Sequence, residues 1–94
     1  MTIKEAQELV EAWNEKNSVH NSELTAMALL TEKIGELASA IARKQAAPTG
    51  HHHDAPNPPL SEELAEIFWE ILSLSNHSAI DLTESLLSNL EKKG

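Results

Sequence analysis

Two stretches of the chain carry carboxylates at helical-turn spacing. In "LTEKIGEL", residues 30–37, Glu32 and Glu36 stand one turn apart with Lys33 between them; in "SEELAEIFWE", residues 61–70, Glu63, Glu66 and Glu70 follow the same rhythm. Two acidic helix edges that face each other repel unless a cation joins them. Mg²⁺ suits that role, because it takes oxygen ligands, keeps some of its waters and commonly links carboxylates to phosphates. Lys33 interrupts the pattern: an ammonium has three donors and no acceptor, so it does not ligate a metal while protonated. Solvated charge explains such acids as well, since surface helices are rich in Glu and Lys at turn spacing and Lys33 with Glu36 is an ordinary i, i+3 pair.

The elements that must position these groups read as four helices. Thr2 with Glu5 forms a capping box, and Ile3, Ala6, Leu9, Val10 and Trp13 recur at helical spacing to about residue 16, with Trp13 in the core. The polar run "NEKNSVHNS" ends this helix, and Ser22 caps a second over about 23–44, with Leu24, Met27, Leu30, Ile34, Leu37 and Ile41 as its apolar stripe. Arg43 and Lys44 suit its C-terminal dipole. Residues 46–59 hold all four prolines and three histidines and read as a loop. Ser61 opens a third helix over about 61–77, and Asp81 with Glu84 starts a fourth over about 82–93. No stretch alternates as a strand would. The reading is an all-α antiparallel four-helix bundle forming one domain over residues 1–94.

Helical geometry places the acids more closely. With Leu30 at zero and 100° per residue, the apolar stripe spans about 340° through 60°, Lys33 falls at about 300°, Glu36 at about 240° and Glu32 at about 200°. Lys33 is the most inward of the three. On the third helix, with Leu64 at zero, Glu63 at about 260° and Glu70 at about 240° border the apolar face, and Glu66 lies further out at about 200°.

Composition limits the partners. A formal charge of −8 with seven scattered basic residues argues against a nucleic-acid polymer, which needs clustered Lys and Arg. No apolar run approaches a membrane span, and "MTIKEAQELV" carries charge where a signal peptide needs an apolar core. Together with the absence of cysteine, this suits a cytoplasmic location. A 94-residue chain without disulfides has a thin core, so completion by oligomerisation is expected.

The segments "ALLTEKIGELASAIAR", "SEELAEIFWEILSLSN" and "IDLTESLLSNLEKK", with "IKEAQELVEAW" before them, resemble the successive helices of the MazG-like all-α nucleoside triphosphate pyrophosphohydrolases. The resemblance covers about residues 22–93 and implies Mg²⁺-dependent hydrolysis, with Mn²⁺ as a substitute metal, of an NTP or dNTP between its α and β phosphates. It implies a homodimer or a dimer of dimers. The family pairs an E-x-x-E motif with E-x-x-D on the next helix. The second motif is met by Glu63 and Glu66, with Glu for the usual Asp; the first is met by Glu36, whereas its opening acid is replaced by Lys33. The resemblance thus assigns Glu36, Glu63 and Glu66 to the metal and Glu32 to orienting water. Asn76, which equally suits a helix cap, and Lys92 and Lys93 fall to the nucleotide; Lys33 either extends outward and leaves Glu32, Glu36, Glu63 and Glu66 around a metal, contacts a phosphate, or is a plug in the metal's place. In the last case the chain is a non-catalytic helical descendant, a binding or interaction protein.

Other residues carry weaker signals. His51, His52 and His53 beside Asp54 are of a type that binds Zn²⁺, Ni²⁺ or Cu²⁺, but three adjacent loop histidines converge poorly on one ion. Trp69 reads as packing, in the core or at an interface, or as the wall of a base pocket. His20 and His77 lie near helix ends and are assigned no chemistry.

Overall fold

A computed structural model of the chain describes residues 1–46 and 58–94. Four helices are found, with no strand among the described residues: α1 (Ile3–Lys16), α2 (Glu23–Ala46), α3 (Leu60–His77) and α4 (Leu82–Lys93). Most of the loop expected at 46–59, the histidine run included, lies outside the described residues.

Each start has a local cause. Thr2 N–H donates to Glu5 Oε1 at 2.8 Å and Glu5 N–H donates to Thr2 Oγ1 at 3.0 Å, so the capping box of α1 is closed in both directions. Ser22 Oγ accepts from Thr25 N–H at 3.2 Å and opens α2. Helix α3 begins one residue earlier than its sequence signal: Pro59, not Ser61, is the N-cap, and its carbonyl accepts from Glu62 and Glu63 N–H. Proline's fixed φ suits a helix entry even without a capping side chain. Asp81 Oδ1 accepts from Thr83 N–H at 2.9 Å and Glu84 N–H at 3.2 Å to start α4. The turn before it reverses through Ala79 at φ 55°, a left-handed conformation that disfavours a side chain with a Cβ.

The helices form an open arrangement rather than a closed barrel of four. α2 packs on α3, α3 also takes α1, and α4 lies lightly against α1. Among the described residues the buried apolar ones are few: Val10, Ala26, Leu30 and Leu72. The radius of gyration is 16.2 Å, whereas a compact chain of this length falls near about 12 Å.

Two core expectations change as a result. Of the α2 stripe, Leu30 is buried and Leu37 half-buried, but Leu24, Met27, Ile34 and Ile41 remain exposed, because α2 has one close neighbour and the stripe is wider than that contact. Trp13 is 49% exposed rather than core, lying edge-to-face on Trp69 with ring centroids 5.3 Å apart.

A buried amide ties the ends of the chain together. Gln7 Nε2 donates to Ser75 Oγ at 2.9 Å and to the Ile80 carbonyl at 2.8 Å, while its Oε1 accepts from Leu82 N–H at 3.2 Å. Burial of an amide is costly unless both ends are bonded, and here they are. A second clamp joins the far side of the same turn to α2, where Ser78 Oγ donates to Glu23 Oε2 at 2.6 Å.

Candidate functional site

The packing of α2 on α3 brings one acid and one base together. Lys33 Nζ lies 3.6 Å from Glu66 Oε2, with side-chain exposures of 28% and 60%. That separation is an ion pair beyond hydrogen-bond reach. With Glu66 so solvated, such a pair contributes about 0–1 kcal/mol. Lys33 lies inward of Glu32 and Glu36, both exposed, as the helical wheel places it.

The pair forms part of the wall of an open cleft of about 350 Å³, shared with Trp13, Ala65, Trp69 and Glu70. Trp13 enters from α1 and Trp69 from α3, so three helices contribute. The cleft has an aromatic wall, one cation and two carboxylates.

Glu63 stands elsewhere. It is 8% exposed and lines a different cleft, of about 520 Å³, formed with Ile41, Arg43 and Lys44 at the end of α2 and Leu60 at the start of α3. A third cleft, of about 450 Å³, places His20 and His77 together with Asn14 and Asn76. Asn76 uses both ends of its amide on α1: Nδ2 donates to the Gln7 carbonyl at 2.8 Å and Oδ1 accepts from Gln7 Nε2 at 3.3 Å. Lys92 and Lys93 are exposed in the last turn of α4.

These placements test the residues against the Mg²⁺ that the sequence resemblance implies. Glu66 carries the Lys33 ammonium, Glu63 faces another cleft, and Glu36 is exposed. Among the described residues no group of three or more His, Asp or Glu side chains is disposed to hold a metal ion. As arranged in the single chain, the acids do not fit a divalent cation, and the lysine is part of the reason. A like charge at the site opposes a metal, and the position supplies no oxygen.

Two features escaped the sequence reading. Gln7 falls beside Val10 on the apolar arc of α1, and a polar residue on that arc is the signal that a buried bond awaits it. The place of Trp13 in the Lys33 cleft had no such signal, because an aromatic residue on an apolar arc reads as core by default.

Comparison with known proteins bears on the whole arrangement. The comparisons with curated proteins and with solved structures return no match. A family model does match, that of the MazG nucleotide pyrophosphohydrolase domain, over residues 21–94, which takes in α2, α3, α4 and the Lys33–Glu66 pair. With four helices, no strand among the described residues and a match over most of its length, the chain belongs to the MazG nucleotide pyrophosphohydrolase family.

Proposed function

We propose that the chain, acting as one helical domain, hydrolyses a nucleoside or deoxynucleoside triphosphate to the monophosphate and pyrophosphate, at a rate held low by Lys33. The family match supports the reaction class, and the 3.6 Å contact between Lys33 and Glu66 is the observation that carries the attenuation. In this reaction water attacks the α-phosphorus, the bond from that phosphorus to the bridging oxygen breaks, and pyrophosphate leaves with the electron pair. Glu32, one residue before Lys33 and exposed, is the side chain we assign to accept the water's proton. Lys33 meets phosphate charge already present in the bound nucleotide, which helps binding without speeding the step. The family implies a divalent metal; Glu36, Glu63 and Glu66 supply no complete site for it here, and no step is assigned to one.

A second copy of the chain is the partner that the exposed apolar residues favour. Met27, Ile34 and Ile41 on α2 recur at seven-residue spacing, and Leu64, Phe68 and Ile71 line the neighbouring α3, all of them 36–51% exposed. A pair of such faces would complete a four-helix core. No helix among the described residues is long and apolar enough to cross a membrane.

The same ion pair favours one second reading, a non-catalytic nucleotide-binding descendant. Pyrophosphate release from a panel of nucleotides, with Mg²⁺ and with chelator, separates the two. Slow release from the parent and roughly tenfold or faster release from Lys33→Glu in Mg²⁺ is the expected result. Release from Lys33→Glu alone selects the non-catalytic reading, and no release from either protein removes the hydrolase proposal.

A further inference from the structure

We infer that Lys33 takes the metal's part in nucleotide binding: the Lys33 cleft holds the phosphate chain directly on an ammonium, so binding proceeds without a divalent cation. This rests on the nucleotide reading above and goes beyond it by naming what the phosphates meet.

Three observations carry it. First, the cation is already in the cleft, with Lys33 72% covered and its Nζ facing Glu66 across 3.6 Å. Second, that partner is easily displaced: the contact is longer than a hydrogen bond and Glu66 is 60% exposed, so water screens the attraction. A phosphate chain brings more charge and several acceptors to the same ammonium. Third, among the described residues no group of three or more His, Asp or Glu side chains is disposed to hold a metal ion, and Glu66, one of the acids that would gather it, faces the lysine instead. Glu66 and Glu70 both line the Lys33 cleft and oppose an incoming anion.

That opposition gives the inference a signature of opposite sign to metal-mediated binding. When a metal bridges carboxylate and phosphate, removing the carboxylate weakens binding. When the carboxylate is a competitor for the lysine, removing it frees the lysine.

The chain has two tryptophans, Trp13 and Trp69, and both line this cleft, so intrinsic fluorescence reports on it directly. The experiment titrates inorganic tripolyphosphate, which does not absorb at tryptophan wavelengths, and follows a deoxynucleoside triphosphate by calorimetry, each in EDTA and in Mg²⁺. Expected are binding in EDTA at least as tight as in Mg²⁺, since Mg²⁺ held by the polyphosphate offsets charge that the ammonium would otherwise meet, with binding about tenfold weaker in Lys33→Gln and as tight or tighter in Glu66→Gln. Circular dichroism checks that both variants keep their helices, and the gain in Glu66→Gln is not something a damaged fold produces. Binding that appears only with Mg²⁺, or that is lost in Glu66→Gln, overturns the inference and leaves the hydrolase reading to its own assay. Absence of binding in both buffers overturns it too, and if pyrophosphate release is also absent the nucleotide reading falls with it.

Discussion

At the scale of the residue, the molecule contrasts two charged or polar groups placed inside it. Lys33 is covered along its stem and meets a solvated acid, an arrangement that a competing anion can undo at low cost. Gln7 is covered at both ends of its amide and meets four protein partners, an arrangement nothing in water replaces. Truncation shows the difference. Gln7→Ala removes bonds to Ser75, Asn76 and Ile80 and leaves the Leu82 N–H without its acceptor, so unfolding in urea should show a loss of about 2–3 kcal/mol. Lys33→Gln should leave stability within about 0.5 kcal/mol of the parent, as near-surface substitutions do. A loss below about 1 kcal/mol for Gln7→Ala means the amide is not the lock described here.

At the scale of the element, the helix starts carry most of what could be read beforehand. Thr2, Ser22 and Asp81 each bond the backbone they were expected to cap, which is why α1, α2 and α4 begin where the sequence places them. Caps are local, so a sequence displays them. Helix α3 shifted by one residue because Pro59 supplies backbone geometry without a side-chain bond. The site was legible in part for the same reason: helical spacing set Lys33 inward of Glu36, but which acid Lys33 meets depends on how α2 and α3 register. That is a tertiary fact. The capping box also carries a pH dependence. The bond from Thr2 backbone N–H, then that with its side chain, holds the Glu5 carboxyl below the usual carboxylate range. A group lowered on folding stabilises above its unfolded value, and that contribution is lost as pH falls through the lowered folded value. Protection of the first-turn amides of α1, measured against their intrinsic exchange rate at each pH, should therefore fall on acidification through that range, and Glu5→Gln should remove this pH dependence of protection. An unchanged acid profile in Glu5→Gln rules the box out as its source.

At the scale of the whole molecule, the open order of the helices leaves Met27, Ile34 and Ile41 of α2 and Leu64, Phe68 and Ile71 of α3, among others, against water. Their periodicity was visible in the sequence, whereas their exposure was not, because an apolar stripe does not reveal whether its partner lies in the same chain. A second copy makes association and stability one quantity, so the thermal midpoint should rise with protein concentration. Ile34→Glu, which sets a charge in the middle of the face, should weaken association at least about tenfold in sedimentation experiments. A concentration-independent midpoint and unchanged sedimentation would reject the second copy as the cover for this face. The Gln7 clamp has a consequence of another kind, in the order of biosynthesis. Its partners lie 68–75 residues further along the chain, at Ser75, Asn76, Ile80 and Leu82. Helix α1 is made before every one of these partners, so its clamp closes only after Leu82 has left the ribosome.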